Sequence, residues 1–160
     1  YMAMEAWRRT YRGALGTYLY DSFGWDIFSY NFSEDFANQF KGLRIDSGDN
    51  FEQLEKIIAK YKSLGIDPAT KQVVFSNGLN IDRAIQLHQY VGGRMQDSYG
   101  MGTFLTCDVE DCNPMNIVVK LTRSRITEKR EWHDCVKLSC DQGKTLGNPE
   151  KCAYLLKQIG

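Results

Sequence analysis

The sequence lacks three features that would place it in a specialised class of protein. Its 20 basic and 20 acidic residues give no net charge, so it has no basic footprint for binding nucleic acid regardless of base sequence. No apolar run approaches the ~20 residues that span a bilayer. No Walker-A sequence is present, which argues against an ATP site of the P-loop kind. We therefore expect neither nucleic acid nor a membrane among the partners of this chain.

Cysteine is scarce and odd in number, with five residues in a chain of 160. In a chain of this size that count favours reduced thiols and a cytoplasmic protein. Four residues separate Cys107 from Cys112 and Cys135 from Cys140, and His133 lies near the second pair. A zinc-stabilised binding module is therefore one interpretation, although the spacing is wide and the glycine-bearing turns of zinc knuckles are missing.

Four β-prone segments alternate with helical patterns over residues 1–113. The segments begin near residues 15, 42, 72 and 95, and helices are predicted at 1–12, 33–40, 51–64 and 81–91. This alternation is typical of βα units in a parallel sheet, so the predicted fold class is α/β. Four units cannot close a barrel, which takes eight, so an open sheet and part of a barrel are both compatible with the pattern. We expect the chain to be the carboxyl-terminal part of a larger protein.

The pattern changes after residue 113. Residues 115–121 and 131–138 are predicted as β-strands joined by a charged loop with no helix between them, which indicates an antiparallel pair. Residues 149–159 are predicted to form a terminal helix. We assign residues 114–160 to a separate unit that packs on the barrel or on a second domain.

Polar residues cluster where each predicted strand ends, the face on which α/β proteins bind ligands. Arg44 lies two residues before Asp46, so on a strand both side chains point the same way. An arginine there can pair with an anion or stack on an aromatic ring, and the simpler alternative is a salt bridge to Asp46 or Asp49. The other clusters are at residues 21–22, 46–49, 76–78 and 100–103.

The chemistry of these clusters suits a phosphorylated sugar. Asp46 and Asp49 could bind ribose hydroxyls or Mg²⁺, which prefers one or two carboxylates plus substrate oxygens. Gly102 and Thr103 precede a predicted helix start, where backbone N–H groups can hold a phosphate. The simpler alternatives are a tight turn at the glycines and a helix N-cap at the acids. His88 and His133 are interpreted as solvated rather than catalytic residues.

Five ordered sequence blocks stand out along the chain: GLRIDSGD at 42–49, VFSN at 74–77, YGMGTFLT at 99–106, PMNIVVKL at 114–121 and KLSCDQGKT at 137–145. With these blocks, the chain from about residue 13 to its end resembles the nicotinate phosphoribosyltransferase family of type II phosphoribosyltransferases. The resemblance implies part of an irregular (β/α) barrel, with residues 1–113 as half a barrel carrying the phosphoribosyl site. An antiparallel β segment and a C-terminal helix would follow, usually in a homodimer.

The resemblance also implies a reaction. Nicotinate and phosphoribosyl pyrophosphate would give nicotinate mononucleotide and pyrophosphate in NAD biosynthesis, with ATP as co-substrate, Mg²⁺ as cofactor, and ADP and phosphate as further products. Asp21 would orient a phosphorylatable histidine expected upstream of residue 1, so the isolated chain, about two-fifths of such an enzyme, should be inactive. The residues expected to bind substrate are Arg44 beside the pyridine ring, Asp46 at the ribose, Gly102 and Thr103 at the 5′-phosphate, and Ser47, Gly48, Asp49, Ser76, Asn77 and Gly78 around them.

Two enzymatic alternatives share this chemistry, a nicotinamide and a quinolinate phosphoribosyltransferase. The nicotinamide enzyme has a more glycine-rich phosphate loop than residues 100–103, which favours nicotinate. One departure from the family pattern lies in the loop of residues 76–80, where Asn77 and Asn80 stand in positions at which relatives often carry acids.

Overall fold

A four-stranded parallel sheet is the centre of the computed structural model, which describes residues 2–115, 117, 119–139 and 143–159. Its strands lie in chain order: β1 Thr17–Leu19, β2 Gly42–Ile45, β3 Gln72–Phe75 and β4 Gln96–Tyr99. Each strand pairs with the next along the chain, whereas a doubly wound sheet reverses its strand order. The predicted α/β class and its four parallel strands are confirmed, and this order is that of consecutive barrel units.

Helices connect the strands and cover one face of the sheet. Asp49 caps α4 by accepting hydrogen bonds from the backbone N–H groups of Phe51 and Glu52, and Asn80 caps α5 in the same way through Arg83 N–H. The first predicted helix, 1–12, is α1, the second is α3, and the short α2 before it was not predicted. The helices are α1 Met2–Tyr11, α2 Trp25–Asn31, α3 Glu34–Gln39, α4 Asn50–Ser63, α5 Ile81–Val91, α6 Thr103–Thr106 and α7 Pro149–Ile159, with 3₁₀ turns at Asp21–Phe23 and Pro68–Thr70.

The hydrophobic core lies between the sheet and these helices. Alternate residues of β2 and β3 point into it, and the side chains of α4 and α5 that repeat at helical spacing meet them. Gln72 and Ser98, on the opposite face of the sheet, share a hydrogen bond of 2.8 Å, and Arg44 lies on that face as well. The fully buried residues of this layer are Leu43, Ile45, Val73, Phe75, Leu54, Ile57, Tyr61, Leu87 and Val91.

The antiparallel pair after residue 113 is present but shorter and partly displaced. Strand β5 is Arg123–Ser124 and β6 is His133–Asp134, so the prediction of a first strand at 115–121 was wrong. The described residues of that segment are exposed and lie outside any strand, and residues 116 and 118 lie outside the described part of the chain. A strand needs a partner for its backbone groups, and the apolar run at 115–121 has none among the described residues.

The terminal helix matches the predicted bounds, and the proposed division at residues 113–114 stays a prediction. Across the ranges described above, no helix combines the length and the apolar character that crossing a bilayer requires.

Candidate functional site

The ends of β2 and β3 bring together an arginine, a carboxylate and a hydroxyl. Arg44 donates from Nε to Ser76 Oγ at 2.8 Å and from Nη2 to Asp46 Oδ1 at 3.0 Å. Ser76 Oγ lies 2.9 Å from both Asp46 Oδ1 and the Ile45 carbonyl oxygen. The side chains of Arg44 and Asp46 remain 43% and 37% exposed, so a ligand can reach them. The expectation that these two side chains share one face of the strand is confirmed, and the salt bridge between them forms.

Asp21 joins this group from the end of β1. Its carboxylate accepts hydrogen bonds from the Asp46 backbone N–H at 3.3 Å and from the Ser47 hydroxyl. The neighbouring Tyr20 is buried and donates to Gln53 Oε1 of α4 at 2.7 Å. Burial, and then the charge of Asp21, raises the pKa of Tyr20, so its hydroxyl stays a donor at physiological pH. The 3₁₀ turn that carries Asp21 is thereby fixed against both the β2 loop and α4.

Asp49 has a structural role in addition to its position in the loop. Its Oδ1 caps α4 with two hydrogen bonds of 3.0 Å, and its Oδ2 lies 3.4 Å from Arg83 Nη2. The N-cap alternative therefore applies to Asp49, whereas Asp46 does not cap a helix. Among the described residues, no group of three or more His, Cys, Asp or Glu side chains is placed to hold a metal ion. Asp46 is the carboxylate of this loop that remains for a ligand.

Asparagines tie the β2 loop to the β3 loop. Asn77 Nδ2 donates to the Gly48 carbonyl oxygen at 2.8 Å, and Asn50 Nδ2 donates to the Asn77 carbonyl oxygen at 3.3 Å. Asn50 is buried, and sequence reasoning missed it because the first residue of a helix carries no distinctive signal. Asn77 thus links the β2 loop to the β3 loop, and its proposed contact with substrate stays a prediction.

The glycine loop after β4 adjoins the same group. Gly100 N–H donates to the Phe75 carbonyl oxygen at 2.8 Å, and a Cβ atom at Gly100 would lie 3.3 Å from Ser76 Cβ. The backbone of this loop therefore passes directly beside Ser76. Gly102 and Thr103 follow at the exposed start of α6, where no side chain caps the first N–H groups. All four strand ends meet at one edge of the sheet, as predicted.

A residue from the far end of the chain also reaches this edge. Lys144 donates from Nζ to the Asp46 carbonyl oxygen at 3.3 Å, across 98 residues of sequence. Its segment is held by mutual backbone hydrogen bonds of 2.9 Å between Lys137 and Leu146. Lys137 also lines a cavity of about 400 Å³ with Ser22 and Phe23, beside the turn that carries Asp21. Lys144 belongs to the last sequence block, but sequence reasoning gave it no role.

Neither histidine belongs to the Arg44, Asp46 and Ser76 network. His88 is exposed with Nδ1 2.6 Å from Asp97 Oδ2, and His133 is exposed in β6. Burial acts to raise the pKa of Asp97, but hydrogen bonds from Tyr99 and His88 outweigh it and lower that pKa. The described residues assemble no zinc ligand set around the cysteines, and Cys140 lies outside the described part of the chain.

The fold and the site define a class: an α/β protein of barrel-like strand order with a polar, ligand-accessible site at the carboxyl edge of its sheet. The model of the nicotinate phosphoribosyltransferase (NAPRTase) family matches residues 1–158. The nicotinate phosphoribosyltransferase of Desulforapulum autotrophicum is 44% identical over 157 residues, which are 98% of this chain and 40% of that protein. Nicotinate phosphoribosyltransferase 1 of Pseudomonas aeruginosa is 42% identical over 157 residues, 98% of this chain and 38% of its own length.

Solved structures agree with these relatives. The crystal structure of nicotinate phosphoribosyltransferase from Porphyromonas gingivalis superposes with a TM-score of 0.90 at 42% identity, covering 100% of this chain and 41% of that one. The corresponding structure from Vibrio cholerae gives 0.85 at 34% identity, covering 99% and 38%. The chain belongs to the nicotinate phosphoribosyltransferase family, and it spans about two-fifths of the length of these relatives.

Proposed function

We propose that this chain carries the phosphoribosyl site of a nicotinate phosphoribosyltransferase. The full enzyme would join nicotinate to phosphoribosyl pyrophosphate, releasing nicotinate mononucleotide and pyrophosphate, and would hydrolyse ATP to ADP and phosphate. The observation that carries the proposal is the Arg44, Asp46 and Ser76 network at the converging strand ends, since it lies in two of the blocks that resemble the family. Family membership supports the same reaction.

Arg44 is suited to the pyridine ring. Hydrogen bonds from Nε to Ser76 and from Nη2 to Asp46 hold the guanidinium at two points, so its orientation is set before a ligand arrives. The group is planar, and a plane held in this way can stack on an aromatic ring while its charge attracts the nicotinate carboxylate. The half-exposed side chain leaves room for that contact.

Asp46 is suited to the ribose. Its Oδ1 is engaged by Arg44 and Ser76, whereas Oδ2 forms no hydrogen bond within the part of the chain that the structure describes. A carboxylate oxygen facing ribose hydroxyls makes charge-assisted hydrogen bonds. With oxygens of the diphosphate, the same carboxylate would hold Mg²⁺, which supplies charge neutralisation to the leaving pyrophosphate. The exposed N–H groups at Gly102 and Thr103 would take the 5′-phosphate.

The compartment and the oligomeric state of the enzyme are also proposed. We place the enzyme in the cytoplasm, because an odd count of five cysteines in a chain of 160 residues favours reduced thiols. We propose a homodimer on the resemblance alone, and sedimentation of the full-length protein tests it.

The direct test is turnover by the full-length protein. We expect formation of nicotinate mononucleotide that depends on nicotinate and phosphoribosyl pyrophosphate and is stimulated by ATP. Chromatography of the reaction mixture measures the product. The isolated 160-residue chain should form none, because the phosphorylatable histidine is expected upstream of it. Equal or faster use of nicotinamide or quinolinate by the full-length protein would move the assignment to one of those enzymes.

Replacing Arg44 by lysine tests the role of the guanidinium plane. Lysine keeps the charge but loses the flat face and the Nε hydrogen bond to Ser76, so the KM for nicotinate should rise about two- to thirty-fold. The KM for phosphoribosyl pyrophosphate should change much less. Steady-state titration of each substrate measures both constants.

Arg83→Lys is the matched control, because Arg83 is 37% exposed, pairs with Asp49 and stacks on Phe51 outside the ring site. It should leave the KM for nicotinate within about twofold of wild type. An Arg44→Lys enzyme with an unchanged nicotinate KM and a raised KM for phosphoribosyl pyrophosphate would assign Arg44 to the phosphates instead.

Replacing Asp21 by asparagine tests its proposed role toward the upstream histidine. The amide oxygen can accept from Asp46 N–H and Ser47 as the carboxylate does, so the loop should stay in place. The negative charge that fixes an imidazole tautomer and stabilises its cationic form is lost, so phosphorylation of the histidine by ATP should slow about a hundredfold. Incorporation of labelled phosphate measures it, and nicotinate binding should be nearly unchanged.

The exposed Asp26 of α2 provides the control, Asp26→Asn, which removes one nearby charge without touching the β2 loop. A normal rate of phosphohistidine formation in Asp21→Asn would show that Asp21 only supports the loop.

A further inference from the structure

Two cysteine side chains face each other in the loop that follows α6. Cys107 Sγ and Cys112 Sγ are 3.4 Å apart, with Cys107 half-buried and Cys112 exposed. A turn brings them together: Asp111 adopts a left-handed conformation with φ of 62°, and Cys112 N–H donates to the Val109 carbonyl oxygen at 3.1 Å. The backbone of the loop therefore holds two thiols in contact near the surface.

We propose that Cys107 and Cys112 are a reversible dithiol that closes into an intramolecular disulfide. The oxidant is a low-molecular-weight disulfide. One cysteine thiolate attacks it, forming a mixed disulfide and expelling one small thiolate; the second cysteine thiolate then attacks the protein sulfur of the mixed disulfide and expels the other. Two cysteine thiols are oxidised, one disulfide is reduced to two thiols, and the two cysteine protons pass to the small thiols.

The geometry favours closure of this ring. A disulfide bond is about 2.05 Å long, so the sulfurs need to approach by roughly 1.4 Å, which side-chain rotation in an exposed turn can supply. The second step is intramolecular, and a short flexible tether gives an effective concentration on the order of millimolar or above. Two thiols alone fall short of the four ligands of a structural zinc site, and the described residues bring no third ligand to them.

The charges of the loop set the rate and the choice of oxidant. The hydrogen bond with Cys112, then partial burial and the charge of Asp108, raise the pKa of the Cys107 thiol. Glu110 and Asp111 add further negative charge to the same turn. Because the thiolate is the attacking species, oxidation should speed up as the pH rises above neutrality. A neutral disulfide should react faster than the anionic glutathione disulfide, and the difference should shrink at high salt.

The ring would close directly on the end of α6. Cys107 N–H donates to the Thr103 carbonyl oxygen at 2.8 Å and ends this one-turn helix. The dithiol is therefore joined to the segment that contains Gly102 and Thr103. The thiol chemistry does not depend on the proposed enzymatic function, so its test is read by mass rather than by turnover.

The test uses the full-length protein with 2-hydroxyethyl disulfide, followed by alkylation and trypsin digestion. Cleavage after Arg94 and Lys120 yields a peptide of residues 95–120 in which Cys107 and Cys112 are the only cysteines. We expect this peptide to lose two hydrogens, with alkylation lowered at least about tenfold because the second thiol captures the mixed disulfide. Dithiothreitol should restore both thiols.

Two variants make the result specific. Cys112→Ser should stop at a mixed disulfide on Cys107, because the resolving thiol is gone, whereas Cys135→Ser should close the ring like wild type. The proposal is overturned if the wild-type peptide remains alkylated at both cysteines. It is equally overturned if either sulfur is found linked to Cys135, to another cysteine of the protein or to a second molecule.

Discussion

Replacing Asp46 by alanine in the full-length enzyme should lower kcat/KM for phosphoribosyl pyrophosphate by about a hundredfold or more. Charge-assisted hydrogen bonds contribute roughly 1.5–3 kcal/mol each, and two ribose hydroxyls would lose them together. The substitution also removes the carboxylate that holds Arg44 Nη2 at 3.0 Å, so some loss of nicotinate affinity should accompany it. ATP hydrolysis in the absence of phosphoribosyl pyrophosphate should fall much less. Steady-state kinetics of the two activities give the comparison.

The control for this experiment is Asp67→Ala, which deletes another loop carboxylate. Asp67 caps the 3₁₀ turn before β3 by accepting from Ala69 N–H at 3.0 Å, so its loss should lower stability by about 1 kcal/mol and leave the kinetics alone. If Asp46→Ala reduces both activities equally, Asp46 is a structural residue of the loop and the ribose assignment is wrong.

Gly42→Ala should lower the free energy of unfolding by about 3 kcal/mol or more. A Cβ atom at Gly42 would lie 2.0 Å from the Gln72 carbonyl oxygen and 2.7 Å from its carbonyl carbon. These are backbone atoms of the paired strand, so no rotation of a side chain relieves the contact. The strands must separate, and with them Arg44 and Ser76, which β2 and β3 position.

Gly65→Ala is the comparison, because Gly65 has φ of +72° but no atom within 4 Å of a Cβ there. It should cost about 1–2 kcal/mol from backbone conformation alone. Urea unfolding followed by circular dichroism gives both midpoints. Equal midpoints for the two variants would mean that β2 and β3 adjust to a methyl group, contrary to the close approach of the two backbones.

The boundaries of several elements followed from local chemistry. Asp49 before an amphipathic stretch and Gly65 after it bracket α4 at Asn50–Ser63, and Gly92 closes α5 in the left-handed conformation. Capping and helical spacing act within a few residues, so they can be recognised in the sequence without knowledge of the fold. The short α2 was not predicted, because no capping side chain marks its start. Gly24 precedes its seven residues and makes no side-chain hydrogen bond.

Elements that depend on distant partners were harder to predict. The apolar residues 115–121 read as a strand, yet the pairing falls at Arg123–Ser124, because a strand exists only where another strand supplies hydrogen bonds. The same limit applies to the site. Arg44 and Asp46 could be paired from their spacing of two. Ser76 Oγ, Asn50 Nδ2 and Lys144 Nζ instead make contacts across separations of 27 to 98 residues.

By itself, the sequence determined the α/β class, the four βα units, the edge at which polar residues gather and the resemblance to a family. All of these depend on local periodicity, on caps and on short ordered blocks. The tertiary structure alone decided which atoms of that edge are engaged. Asp49 caps α4, and Asp46 Oδ2 has no partner among the described residues. Asp21 is hydrogen-bonded to the β2 loop, and the sulfurs of Cys107 and Cys112 lie 3.4 Å apart. Whether a hydrogen bond forms depends on differences of a few tenths of an ångström in the donor–acceptor distance. Only the packing of sheet, loops and helices sets that distance.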